Sequence, residues 1–97
     1  MPKARTEQEA SLLFPDGHIL RLRVWEVPEP VPPSAHRFKY SCFHGRPGPC
    51  MVLYDNERGK GDHRHYGERE EPYEFQSVEK LVEDFLADVR RVRGEGG

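Results

Sequence analysis

Apolar and polar residues alternate along the first half of the chain with a period of two, as in half-buried β-strands. In residues 18–27, leucine and valine occupy one face, while arginine and Trp25 occupy the other. An apolar run at 7–14 comes before this segment, and the Pro-Asp-Gly sequence at 15–17 is a turn signature. The pattern therefore predicts a β-hairpin.

The alternation resumes at 36–43 and again at 50–55, on either side of a stretch rich in glycine and proline. Two extended runs around such a stretch predict a second hairpin. Residues 62–66 are predicted to form a short strand and 67–72 a charged loop. A last extended piece is expected at 73–75.

The C-terminal segment has the pattern of an amphipathic helix. Ser77 is a favourable N-cap, and acidic residues follow it in the first turns. The apolar residues then fall on one helical stripe that ends at Val92. Arginines lie near the carboxyl end, and Gly94 is expected to stop the helix.

These elements predict an α+β fold in which an antiparallel sheet of four to five strands, two hairpins plus a short strand, packs on one C-terminal amphipathic helix. The 97 residues leave room for one compact domain. We place this domain at 7–93, with a disordered lead at 1–6 and a flexible tail at 94–97.

Composition and charge narrow the class of protein. Fifteen Lys and Arg against seventeen Asp and Glu give a net charge of −2, so nucleic-acid binding would need a local basic patch. No stretch approaches the ~20 apolar residues of a membrane span, and the amino terminus lacks an apolar signal core. Cys42 and Cys50 are expected to be reduced thiols. We expect a soluble, cytoplasmic protein with no membrane partner, which a second copy could stabilise as a homodimer.

Residues 54–66 concentrate histidine, arginine, lysine and acids among glycines, with almost no aliphatic side chain. The segment matches neither the phosphate-loop pattern nor the calcium-loop pattern. If it is extended, His63 and His65 project to the same side, because residues two apart on a strand share a face.

Two chemistries and one non-catalytic interpretation remain open for this pair. In acid–base catalysis, His63 and His65 are the acid and base, and the basic and aromatic residues around them hold the phosphate and stack on a base. The residues in those binding roles are Arg58, Lys60, Arg64, Tyr54 and Tyr66. In metal binding, His63 and His65 are two ligands and Asp62 is the third, with Asp55 or Glu57 as substitutes. In the third interpretation, the segment is a solvated charged loop.

The run from Tyr54 to His65 resembles the signature of the TumE family, small prokaryotic toxins of type II toxin–antitoxin systems. The segments 24–28, 36–40 and 71–85 are also similar to that family. Asp55 and Glu57 belong to the same motif, and we include them among the substrate-binding residues. The resemblance implies a cytoplasmic toxin that inhibits growth and is paired with a cognate helix-turn-helix antitoxin.

The resemblance does not imply a particular reaction, so the reaction has to be inferred from the chemistry of the residues. The leading hypothesis is a metal-independent endoribonuclease without a cofactor, in which Arg64 joins His63 and His65 in catalysis and RNA is the substrate. The alternatives are a nuclease that uses a divalent metal and a non-enzymatic toxin that blocks a cellular partner. We expect the segment 54–71 to be exposed, with Glu68, Glu70 and Glu71 turned away from the histidines.

Overall fold

The structure is a computed structural model that describes residues 5–30, 32–46, 50–57 and 59–94. It contains a six-stranded antiparallel sheet in which every strand pairs with the next one along the chain. One helix follows the sheet. The elements are β1 Arg5–Leu13, β2 Ile19–Glu26, β3 Phe38–Gly45, β4 Cys50–Glu57, β5 Gly61–Tyr66, β6 Arg69–Pro72 and α1 Val78–Val92.

Both predicted hairpins are present, and the α+β class is confirmed. In the first hairpin, the Phe14 amide donates to the His18 carbonyl at 2.8 Å, and Gly17 adopts φ +88°. A side chain is rarely tolerated at such a φ, which explains the glycine in this turn.

The sheet has six strands rather than four to five, because residues 69–72 form β6 where a charged loop was predicted. Residues 73–75, predicted to be extended, follow β6 and lie outside the strands. β6 has no apolar alternation, so the pattern gives no signal for it. It forms because Gly67, at φ +63°, permits a two-residue turn that pairs it with β5.

Strand β1 begins at Arg5, so the last two residues of the predicted disordered lead at 1–6 belong to the sheet. Residues 1–4 and 95–97 lie outside the described part of the chain. Every residue of β1 is exposed, including Leu12 and Leu13. β1 is also an edge strand with one unpaired side.

The core lies between α1 and one face of the sheet, which we call the helix face. Its sheet side chains come from β2, β3 and β4, and its helix side chains are Leu81, Phe85 and Val89. Ser77 caps α1 as predicted, since its side chain accepts a hydrogen bond from the Lys80 amide at 3.0 Å. Cys42 is buried in this core, and burial raises the pKa of its thiol to about 12.

The opposite side of the sheet, which we call the open face, carries the alternate side chains. Register pairs Arg23 with Ser41, Ser41 with Asp55, and Asp55 with His63, so these residues form one row across four strands. A neighbouring row runs from Arg21 to His65. Within the described residues, no helix is long and apolar enough to cross a membrane.

Candidate functional site

Most of the charged segment is strand rather than loop. Residues 50–57 form β4 and residues 61–66 form β5, and the two strands pair through the whole segment. The strand predicted at 62–66 is confirmed, but the expectation that the segment 54–71 is exposed is wrong, because Tyr54, Asn56 and His63 are buried. Because neighbouring residues in a strand face opposite sides, the pairing divides the predicted site residues between the two faces of the sheet.

His63 and His65 point to the open face together, as the strand spacing predicts. Their ring centroids are 4.9 Å apart, and the rings meet edge to face. The side chain of His63 is only 5% exposed, while that of His65 is 22% exposed. His65 is thus the imidazole nearer to solvent, and His63 lies behind it.

The tautomer of His63 follows from its hydrogen bond. Its Nδ1 lies 2.9 Å from the Gly61 carbonyl oxygen, which can only accept, so Nδ1 carries the proton and donates. In the neutral ring, Nε2 then holds a free lone pair. This Nε2 is enclosed and has no hydrogen-bond partner among the described residues. A buried, unpaired ring nitrogen is costly, and it points to a ligand or a reaction.

Glu70 completes the group, although it was predicted to turn away from the histidines. Its Oε1 lies 3.9 Å from Nε2 of His63 and 3.9 Å from Nε2 of His65. The ammonium of Lys60 lies 3.5 Å from the same oxygen. We refer to Lys60, His63, His65 and Glu70 as the histidine pocket. Lys60, His63 and Glu70 also line a surface cavity of about 270 Å³.

Arg64 does not join this pocket, because it lies between the two histidines in sequence and faces the helix side. Its Nε donates to Glu71 Oε1 at 2.7 Å, and its Nη1 donates to the Tyr54 hydroxyl at 3.3 Å. Its guanidinium carbon also lies 5.4–5.9 Å from the ring centres of Tyr54, Tyr66 and Tyr73. The structure therefore separates Arg64 from the histidines it was predicted to assist.

The two tyrosines that were predicted to stack on a base also face the helix. Tyr54 is fully buried, and its hydroxyl donates to Asp88 of α1. Tyr66 is half-buried and donates to the same carboxylate at 2.6 Å. These two rings hold the sheet to the helix, and Tyr54 has no surface to offer a nucleotide.

Asp62, the third ligand of the predicted metal site, faces away from the histidine pocket. Its carboxylate accepts hydrogen bonds from Ser34 at 3.0 Å, His36 at 2.8 Å and the Tyr40 hydroxyl at 2.6 Å. With three donors satisfied on the far side of the strand, Asp62 has a structural role. Its place beside the histidines is taken by Glu70.

Four further site residues were predicted. Asp55 lies on the open face opposite His63, and its Oδ1 is 3.8 Å from the ammonium of Lys39. Glu57 ends β4, but its side chain lies outside the described part of the structure, and so does Arg58. Lys60 is exposed at the edge of the pocket, where a phosphate could reach it.

Glu70 is the site residue that the sequence analysis missed. Its position follows from the β5–β6 register, which places it directly opposite His65. The Gly67-Glu68 pair between His65 and Glu70 was the available signal, since a glycine-containing two-residue turn favours a hairpin. Charge alone gave no sign that this glutamate would approach the histidines.

The fold and the pocket define a class: a small sheet with a helix on one face and two imidazoles, a carboxylate and an ammonium on the other. The family model described as Toxin TumE matches residues 3–93. The chain therefore belongs to the TumE family, and its role is that of a toxin. Comparisons with curated proteins and with solved structures find no match.

Proposed function

We propose that this toxin cleaves phosphodiester bonds of RNA in the histidine pocket. The observation that carries the proposal is the fixed tautomer of His63, whose enclosed Nε2 has no hydrogen-bond partner among the described residues and lies beside His65, Glu70 and Lys60. Imidazoles move protons or bind metals, and an ammonium neutralises a phosphate. Beside a second imidazole, a carboxylate and an ammonium, this unpaired nitrogen indicates a ligand or a reaction rather than a purely structural role.

RNA suits this site because it carries its own nucleophile. The 2′-hydroxyl attacks the adjacent phosphorus, the bond from phosphorus to the 5′ oxygen breaks, and a 2′,3′-cyclic phosphate and a 5′-hydroxyl result. The protein must accept the proton of the 2′-hydroxyl, supply one to the leaving oxygen and stabilise the phosphate charge. Lys60 is placed for the last of these tasks.

The open face gives the RNA a path to the pocket. Arg21 and Arg23 are exposed on β2, in the two rows that end at His65 and His63. The row from Arg21 also contains the half-buried Phe43, which offers a ring edge on the same surface. Cations and aromatic surface on one sheet face are the elements of single-strand binding. Arg21, Arg23 and Lys60 are the cations through which this face would bind a phosphate backbone, and Asp55 and Glu70 lie among them.

The sequence hypothesis of an acid–base pair needs revision at one point. Both imidazoles would have to touch the RNA, but Nε2 of His63 is enclosed and has almost no exposed surface. His65 and Lys60 are the groups that RNA can reach. His63 therefore acts on the reaction without touching the RNA, either by way of His65 or by way of a bound ligand smaller than a nucleotide.

A toxin family implies an antitoxin partner. We propose that this partner is a helix-turn-helix protein, and that it silences the toxin by covering the pocket or by pairing with an open edge of the sheet, of which β1 is the longest. An acidic antitoxin segment near Lys60 would compete with phosphate, so affinity should fall as salt rises. The homodimer and the cytoplasmic location remain predictions.

The test compares His65→Ala and Lys60→Ala with Arg69→Ala, which changes an exposed residue of the same β5–β6 hairpin. We expect the first two to lose growth arrest and to cut single-stranded RNA roughly 100-fold more slowly, and the third to behave as wild type. An all-deoxy strand should stay intact, and the RNA products should end in a cyclic phosphate. Unchanged killing by His65→Ala would contradict the proposal. Growth arrest without any RNA cleavage would favour the non-enzymatic toxin.

A further inference from the structure

Three donor atoms of the histidine pocket are arranged as a set of metal ligands. Nε2 of His63, Nε2 of His65 and a carboxylate oxygen of Glu70 all lie within 4.8 Å of one another. In a tetrahedral site with bonds of 2.0–2.1 Å, ligand atoms are about 3.3 Å apart. The observed 3.9 Å from Glu70 to each nitrogen is about 0.6 Å longer, a difference that small side-chain rotations can close.

The unpaired nitrogen of His63 is an independent observation that points to a ligand. Its ring is held from behind by the Gly61 carbonyl, which is the second-sphere arrangement found for metal-bound histidines. The lone pair is thereby directed into the pocket, where RNA cannot reach it but a bare ion can. A cation would give this nitrogen the partner that no described protein group supplies.

His44 provides the comparison that makes this inference specific. Its Nδ1 also meets a carbonyl, that of Ile19 at 3.0 Å, and its Nε2 is also buried without a partner. Its ring, however, lies between Phe14 and His18, and no triad of His, Cys, Asp or Glu forms around it in the part of the chain that the structure describes. An unpaired nitrogen alone is therefore not a site. His63 differs from His44 because His65 and Glu70 lie beside its unpaired nitrogen.

We propose that His63, His65 and Glu70 bind one divalent transition-metal ion, with Zn²⁺ as the best fit. Two imidazoles and one carboxylate suit a borderline ion such as Zn²⁺, whereas Mg²⁺ and Ca²⁺ prefer oxygen ligands. Three protein ligands leave a fourth position open, as catalytic zinc sites do. Lys60 is long and exposed, so its ammonium can leave Glu70 when the ion arrives.

The catalytic role of the ion rests on the proposed function, RNA cleavage in the histidine pocket. A phosphate oxygen or a water molecule would occupy the open position, where the ion would polarise the phosphorus centre or lower the pKa of the water. With both imidazoles bound to it, the metal would take their place as the group that acts on the RNA. This would give enclosed His63 a part in catalysis without contact to the nucleotide.

Metal binding can be measured without any activity. Untagged protein is stripped with a chelator, and Zn²⁺ is titrated into it by calorimetry. We expect one ion per chain, with binding roughly 100-fold or more weaker in His65→Ala and in Glu70→Gln. Glu68→Gln, which changes an exposed glutamate of the same turn, is the matched control and should bind as wild type.

Two results would overturn the proposed metal site: no binding tighter than about 100 µM, or equal binding by the wild type, His65→Ala and Glu70→Gln. Circular dichroism of each variant checks the fold, and His65 and Glu70 are exposed enough for their variants to fold. RNA cleavage by metal-free protein would exclude a catalytic role for the ion and keep the proposed function. If the protein binds the ion but cleaves no RNA in its metal-free or its metal-bound form, the metal site stands and the proposed function is wrong.

Discussion

Strand β5 carries two sets of polar side chains on its two faces, and their surroundings differ. On the helix face, Arg64 meets the carboxylate of Glu71 and the hydroxyl of Tyr54, and Asp62 accepts three hydrogen bonds. On the open face, within the part of the chain that the structure describes, His63 keeps a buried nitrogen unpaired, and His65 meets the ring of His63 edge to face and lies 3.9 Å from Glu70. The side chains on the helix face are therefore fully hydrogen-bonded, whereas those on the open face are not.

This difference in hydrogen bonding distinguishes polar side chains that stabilise the fold from polar side chains that bind a ligand. Groups that hold the fold together gain by being fully hydrogen-bonded, because an unpaired buried group costs free energy. Groups that bind a ligand must keep some bonding capacity free. By this criterion Arg64 and Asp62, both candidates for the site from sequence, are fold residues, whereas Glu70 belongs to the site.

The largest expected effect that tests this separation comes from Arg64→Ala compared with His65→Ala. Arg64→Ala removes a charged hydrogen bond and leaves Glu71 without its closest partner, so we expect it to lower the free energy of unfolding by about 2–3 kcal/mol. His65→Ala should lower it by less than about 1 kcal/mol. Urea denaturation measures both. If His65→Ala is the less stable of the two variants, the assignment of Arg64 to the fold and of His65 to the site is wrong.

A second and smaller effect concerns acid stability through Asp88, which joins α1 to the sheet. Burial opposes ionisation of this carboxyl, but hydrogen bonds from Tyr54, Tyr66 and Arg91 outweigh it and hold the pKa of Asp88 below its usual 3.8. A carboxyl with a lowered pKa in the folded state stabilises the protein above its unfolded pKa and loses that contribution as pH falls through the folded value.

We therefore expect Asp88→Asn to be less stable than the wild type at pH 7 by about 1–2 kcal/mol. The difference between the two proteins should shrink below about pH 4, where the carboxyl of the unfolded wild type takes up a proton, and should be lost as pH falls through the lower pKa of the folded state. Urea denaturation at pH 7, 4 and 3 measures it. A constant difference across this range would show that the three donors do not act on the ionised carboxylate.

The smallest expected effect involves His44, the histidine without a site. Burial opposes its protonation and outweighs the hydrogen bond to Ile19, which lowers the pKa of His44 from its ordinary 6.5. The unfolded chain then binds a proton here that the folded chain does not, so stability falls as pH drops below about 6.5. His44→Gln should weaken this dependence between pH 7 and 5.5 in thermal unfolding. Equal slopes for the variant and the wild type would contradict the assignment.

Local patterns sufficed for the elements that contain apolar residues. Period-two alternation located β2 to β4, and the helical stripe with its serine cap located α1, because burial of one face imposes a fixed spacing. The same alternation predicted that His63 and His65 share a face. Strand β6 was not predicted, since three of its four residues are charged and it is held by its pairing with β5 rather than by burial.

The amino-acid sequence by itself determined the α+β class, the two hairpins, the helix and the presence of a histidine pair, all of which follow from spacing along the chain. Tertiary structure alone decided which charged residues accompany that pair. The register of β5 and β6 brought Glu70 to the histidines, while packing against α1 took Arg64 and Tyr54 to the other side. Spacing fixes the face of a side chain within its own strand, but only strand pairing and packing select its neighbours.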